Sequence, residues 1–355
     1  MFFLFSSCTE KKPEQNFDLF VGTYTDGNSE GIYKMTFNTA TGQLANTSLA
    51  ATLTNPSFLA ISADKKNLYV VQETADYDSI GGSVASFSLN DGILKLLNIK
   101  GSGGAHPCHV AVSNQGQIAV SNYTGGNLAV YDLEEDGSLG ERQLIEHATA
   151  DTIKTPHVHK AHFNAEGLFV ADLGLDALKR YSKQPYGWVP AHQNTIAMDK
   201  GAGPRHFVFN KSKAYLYVLN ELNASISVLK QDDEGSYNHT ASITTLPESY
   251  KGENACADIH LSTDERFLYA SNRGENTIVI FEVDAQTGEL SLVGRTSVKG
   301  DWPRNFTLDP TGNFLLVANQ KSSNITIFKR DSEKGTLEFL NEVEMPNPVC
   351  LLFVE

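Results

Sequence analysis

The stretch PRHFVFNKSKAYLYVLNE, residues 204–221, decides the fold. Two apolar runs, at 207–209 and 216–219, flank a polar turn at 210–214, which reads as two antiparallel strands joined by a short connection. Arg205 stands at the entrance of the first strand and Glu221 at the exit of the second. Charges at the ends of an apolar hairpin need a partner or a task, because a buried charge without one is costly.

The unit recurs. PSFLAISADKKNLYVVQE starts at Pro56, PCHVAVSNQGQIAVSNY at Pro107, HVHKAHFNAEGLFVADL at His157, CADIHLSTDERFLYASNR at Cys256 and PRNFTLDPTGNFLLVANQ at Pro303, so successive units begin 47 to 52 residues apart. A third segment follows each one, such as GNLAVYDL, ASISVLK or NTIVIFEV, alternating apolar and polar residues as a half-buried strand does. Most units then carry a hairpin signal, NDGIL, EDGSL, DEGSY, QTGEL or EKGTL, before a fourth strand; the unit from His157 has KQPYGWVP instead. Four antiparallel strands per repeat describe a β-propeller blade. The segment from Leu19, LFVGTYTDGNSEGIYKMTFNTATGQL, lacks a first strand, and the C-terminal NPVCLLFVE supplies one and stops. The expectation is an all-β, seven-bladed β-propeller over residues 18–355, its ring closed by a C-terminal strand that completes the N-terminal blade and removes a free edge. Two stacked all-β domains would need a linker, and no stretch reads as one.

Composition agrees. The 355 residues are 10% aromatic and include 28 glycines and 12 prolines, which suits many strands separated by turns. No apolar run reaches the length of a membrane-spanning helix. The net charge of −14 argues against a nucleic-acid or anionic-membrane binder, and an anionic ligand would need a local cluster of arginines. Four cysteines make no disulfide framework; Cys108, Cys256 and Cys350 fall in strand patterns as small buried hydrophobes. Cys8 differs. Residues 1–17 read as a leader, a short apolar run ending in SSC before a polar tail, like the end of a bacterial lipoprotein signal with lipid on Cys8, although the run is short and lacks a basic start. Lipidation would place the protein in the periplasm or on a membrane, reached only through that lipid; without it the chain is cytoplasmic.

In an up-and-down blade, the start of strand one and the end of strand two lie at the same end, and strand one lines the central channel. These positions from all blades therefore ring one mouth. Two residues into strand one stand Phe58, His109, His159, His206, Asp258, Asn305 and Cys350, with Arg205 and Arg304 one residue earlier. At the end of strand two stand Tyr24, Glu73, Tyr123, Leu173, Glu221, Arg273 and Gln320. A purely structural ring would not collect so many histidines, arginines and glutamates. The asparagines just before them, Asn220 among them, suit turn caps, although Asn220 is also a candidate for substrate binding with His206, Arg304, His109 and Glu73. His106 with His109, and His157 with His159, have metal-like spacing, and Glu73 with Asp172 could hold calcium. There is no cysteine pair and no dense carboxylate set, so no metal and no cofactor are assigned. No G-x-S-x-G, phosphate loop or dinucleotide fingerprint is present.

The motifs FVGTYT at residues 20–25, GAGPRH at 201–206, NELN at 220–223 and LYASNRGENTI at 268–278 resemble the seven-bladed propeller lactonases, over essentially all of residues 18–355. The best-known activity of that family is 6-phosphogluconolactonase, and a fungal carboxy-muconate lactonizing enzyme is a relative. The resemblance implies ring-opening hydrolysis of a sugar-acid lactone, usually without an essential metal, and an anionic small-molecule substrate. It points to His159, Arg205, Glu221 and Arg273 as catalytic. Glu221 or His159 would be the base, and Arg205 and Arg273 clamps for oxyanion, carboxylate or phosphate. A cycloisomerase acting on a carboxy-muconate, and a non-enzymatic propeller that binds a protein or glycan, are the alternatives.

Overall fold

A computed structural model describes residues 15–148 and 153–354. The leader and Cys8 lie outside the described residues. The described chain contains no helix. Its strands form seven four-stranded antiparallel sheets, each a blade. The unit around residues 204–221 is blade 5: Pro204–Phe209, Tyr215–Asn220, Ser225–Gln231 and Tyr237–Thr244, in that order from the channel outward. In blade 1 the C-terminal strand Pro348–Val354 lies innermost, beside Asn16–Thr23, then Gly31–Asn38 and Gln43–Thr52. The first and last strands of the chain thus pair, with Leu19 opposite Phe353 and Val21 opposite Leu351, and the ring is closed as expected.

No single core exists. Seven apolar clusters sit at the seven blade-to-blade junctions. Leu19, Phe37 and Phe353 of blade 1 pack on Leu316 and Ile325 of blade 7, and Phe169 and Leu178 of blade 4 pack on Phe207 and Val218 of blade 5. This follows from the period-two pattern of the strands, which gives each sheet two apolar faces and one neighbour for each.

The glycine turns have a second use. Tyr69, Tyr217 and Tyr269, on the second strands of blades 2, 5 and 6, donate their hydroxyls to Gly137 O, Gly288 O and Gly335 O on the next blade, at 3.1, 3.1 and 2.8 Å. Gly288 has φ +70°, and a Cβ there would come within 2.3 Å of the Tyr215 ring. The turn therefore needs glycine both for its left-handed backbone and for close approach of the neighbouring blade. In blade 4, where KQPYGWVP replaces the usual turn, Gln184 still pairs with Gly187, so a hairpin forms around Pro185 and Tyr186.

One feature departs from strict alternation. The first strand carries an extra residue near its entrance, with register shifts between Pro107 and His109, Pro204 and His206, and Pro303 and Asn305. Similar shifts occur between Val158 and Ala161 and between Cys256 and Ile259. Such β-bulges re-aim side chains. In a regular strand Arg205 and His206 would point to opposite faces. Here both reach the first strand of blade 6, Arg205 Nε donating to Ala257 O at 3.0 Å and His206 Nδ1 lying 2.7 Å from Asp258 Oδ1.

Candidate active site

The site is built on blade 5 from the loop 201–203 inward. Asp176 of blade 4 accepts hydrogen bonds from Gly201 N and Gly203 N, both at 3.0 Å. Gly203 has φ +65°, and a Cβ there would approach Leu222 to 2.5 Å. Glu221 N donates to Gly203 O at 2.7 Å, so the loop fixes the backbone just past the second strand. Pro204 opposite Asn220 then sets Arg205 against Glu221.

Glu221 sits between two guanidinium groups. Its Oε2 accepts from Arg205 Nη1 at 2.5 Å, and its Oε1 lies 3.0 Å from Arg273 Nη2. Backbone carbonyls of blade 6 hold Arg273 in turn: Nε donates to Ala255 O at 3.1 Å and Nη2 to Cys256 O at 3.0 Å. The same guanidinium lies over the Trp302 ring, 5.4 Å from its centroid. Burial by itself would raise the Glu221 carboxyl, but Arg205 and Arg273 outweigh it and hold the group at about 2. Glu221 is therefore ionised, with both oxygens engaged.

A second charged corner lies on blades 1, 2 and 7. Tyr24 of blade 1 donates its hydroxyl to Glu73 Oε2 of blade 2 at 2.8 Å. Arg304 of blade 7 places Nη2 3.7 Å from Glu73 Oε1 and stands over the Tyr24 ring at 5.1 Å. Burial raises the Tyr24 phenol and keeps it a donor. Three arginines thus meet two glutamates at these two corners.

Histidines cluster in the same region of the channel. The His206 ring lies 5.2 Å from His159 and 5.7 Å from His109, and Phe58 packs on His109 at 4.2 Å. Asp258 holds His206, accepts from Asn305 Nδ2 at 2.5 Å and meets His260 Nε2 at 3.0 Å. Burial pushes His206 down to about 4 although Asp258 opposes it. Burial, then Arg205 and His206, push His159 well below the usual imidazole value. Burial does the same to His109. The Nδ1 atoms of His159 and His109 are buried without a hydrogen-bond partner among the described residues. Tyr123 stacks on His157 at 4.6 Å and meets His159 edge-on at 5.9 Å.

The structure thus gathers His159, Arg205, Glu221 and Arg273 at one mouth, with His206, His109, Arg304 and Glu73 nearby. Asn220 goes elsewhere. Its Nδ2 donates to Ser225 and Ser227 of its own blade, both at 2.9 Å, while its buried Oδ1 has no hydrogen-bond partner among the described residues. Asp172 is likewise tied down, by His147 at 2.7 Å and by the backbone N–H groups of His157 and Leu175. The paired histidine spacings do not converge: His106 Nδ1 bonds Thr124 Oγ1 and His157 Nδ1 bonds Tyr123 O. Among the described residues no group of three or more His, Cys, Asp or Glu side chains is arranged to hold a metal ion. Tyr24, Tyr123 and Trp302 are mouth residues that residue type alone passes over. Their only signal in the sequence is position, the two tyrosines at the strand-two exit and the tryptophan just before a strand-one entrance.

Residues 18–353 match the family model described as lactonase, 7-bladed beta-propeller. The chain is 36% identical over 346 residues to a Bacillus subtilis protein named 6-phosphogluconolactonase, spanning 94% of this chain and 97% of the relative. It is 37% identical to a Formosa agariphila protein of the same name, over 84% of this chain and 88% of the relative. The structure of a periplasmic gluconolactonase from Pseudomonas aeruginosa superposes with a TM-score of 0.91 at 32% identity, covering 96% of this chain and 99% of that one. With its repeat, its ring closure and its GPRH and NEL motifs in place, the chain belongs to the seven-bladed β-propeller lactonase family.

Proposed function

We propose that the protein hydrolyses a sugar-acid lactone at this mouth, converting 6-phosphogluconolactone to 6-phosphogluconate. The observation that carries the reading is the Arg205–Glu221–Arg273 bridge beside a buried, neutral His159. Relatives named 6-phosphogluconolactonase and gluconolactonase support it.

Glu221 and His159 divide the work. A carboxylate held at about 2 with both oxygens on arginines is a poor proton acceptor, and its role is to fix the two guanidiniums. Arg205 Nη2 and Arg273 Nη1 make no hydrogen bond within the described residues, so each has N–H groups left for a lactone carbonyl as it becomes an oxyanion. His159 takes the proton of the attacking water as the C–O bond forms. The imidazolium then gives that proton to the ring oxygen as the lactone C–O bond breaks. Water is consumed and the hydroxy acid is formed. The environment that weakens His159 as a base makes its imidazolium a strong acid for the second step.

The test is a panel of 6-phosphogluconolactone, gluconolactone and carboxy-muconate given to the purified chain. Hydrolysis of a lactone is expected. Cycloisomerisation of the muconate alone, or no reaction at all, would replace the reading with one of the alternatives. Glu221→Gln and Arg273→Ala should each lower kcat/KM by about 10²–10³-fold in protein shown by melting to be folded. Unchanged rates in both would remove this site from the reaction.

A further inference from the structure

The three arginines of the mouth are not equivalent. Arg205 donates to Ala257 O and to Glu221. Arg273 donates to Ala255 O and Cys256 O and is paired with Glu221. Arg304 makes no side-chain hydrogen bond among the described residues. Its nearest carboxylate oxygen, on Glu73, is 3.7 Å away, beyond a hydrogen bond, while Tyr24 supports the guanidinium from beneath at 5.1 Å. A guanidinium has five donors in a planar fork, and in a half-buried place they must be met by water or by a ligand. The side chain is 19% exposed, so the fork is open to the mouth.

Its position matters as well. Arg304, Tyr24 and Glu73 come from blades 7, 1 and 2, whereas His159, Arg205, Glu221 and Arg273 come from blades 4, 5 and 6. Blade 7 adjoins blade 6, and Arg304 lies close enough to Glu221 and Arg273 for its charge to act on both. A ligand whose lactone carbonyl rests on Arg205 and Arg273 extends its far end toward Arg304. Glu73, locked by the Tyr24 hydroxyl, flanks the fork and offsets its charge when the subsite is empty.

The geometry points to Arg304, braced by Tyr24 and Glu73, as a subsite for a phosphate monoester at the far end of the substrate, which makes this residue the selector for phosphorylated over unphosphorylated lactones. The inference rests on the lactonase reading above. Phosphate suits the fork because two of its oxygens can take parallel N–H donors.

The experiment measures kcat/KM of the full chain on 6-phosphogluconolactone and on glucono-δ-lactone, for the wild type, Arg304→Ala and Arg304→Lys. The wild type should prefer the phosphorylated lactone. The ratio of the two constants should fall about 10–100-fold in Arg304→Ala, the loss of a charged hydrogen-bonded contact. Arg304→Lys keeps a point charge for Glu73 but loses the fork, so its ratio should fall part of the way. Competitive inhibition by 6-phosphogluconate should weaken in parallel, while inhibition by gluconate should weaken less. An unchanged ratio, or an equal loss on both lactones, overturns the subsite. If Arg304→Ala does not fold, an intact ratio in Arg304→Lys overturns it as well. A wild type that opens lactones without preferring the phosphorylated one overturns the inference and leaves the lactonase reading standing. A wild type that opens neither overturns both.

Discussion

His159 is where the chemistry of a single residue departs most from its type. A histidine at the surface would be half charged near pH 6.5, but here burial comes first and the guanidinium of Arg205 second in driving off the proton. If His159 is the base proposed above, its neutral form is the active one, and activity should persist as pH falls through 6.5 and decline only below it. A pH profile of kcat/KM checks this; an acidic limb centred at or above 6.5 would mean that another group accepts the proton. Removing the imidazole in His159→Ala should cost about 10²–10⁴-fold in kcat. Glu221 shows the converse. Its residue type suggests a base, and only its two arginine partners reveal it as a holder of cations. The sequence aligned these residues at one mouth, because a repeat of known strand order places strand ends together. Which of them was free to act depended on contacts between blades, and those are not written in any local pattern.

At the scale of the element, the strand pairs and hairpin turns were legible and the bulges were not. Alternating apolar residues and Asp-Gly or Thr-Gly turns declare strands and hairpins because their causes are local. A bulge adds one residue without changing composition, and its trace here is a proline just ahead, as at Pro107, Pro204 and Pro303. That extra residue turns Arg205 and His206 toward the same neighbour. The turn glycines carry a comparable hidden load. Gly288→Ala should destabilise the protein by about 1–3 kcal/mol, from the left-handed backbone and from the clash with Tyr215, measured by denaturant unfolding. A loss below about 0.5 kcal/mol would show that the Tyr215 ring and the turn move aside freely.

At the scale of the whole molecule, the channel stores a pH dependence. His206 is held near 4 in the folded protein against about 6.5 when free, so the folded state binds fewer protons than the unfolded state between these values. Its contribution, roughly 3 kcal/mol, is complete above pH 6.5 and lost as pH falls toward 4. His159 and His109 act in the same direction. Glu221 adds a loss at lower pH, from its ordinary range down to about 2. The melting temperature should therefore drop between pH 7 and pH 4 by about 5–10 °C or more. A flat melting temperature over that range would contradict a buried layer of neutral histidines.

The sequence by itself determined the number of blades, the strand order within them and the closure of the ring. All of these follow from periodicity, turn chemistry and complementary termini, which act over a few residues or repeat along the chain. Tertiary structure decided that Glu221 is paired with Arg205 and Arg273, that Asn220 bonds within its blade, and that Arg304 stands over Tyr24 without a side-chain hydrogen bond among the described residues. The arginine outcomes depend on partners 16 to 280 positions away, such as Arg205 with Glu221 and Arg304 with Tyr24, whereas Asn220 turns to Ser225 and Ser227, 5 and 7 positions on. Burial and Coulomb forces act on distance in space, and only the closed ring sets that distance.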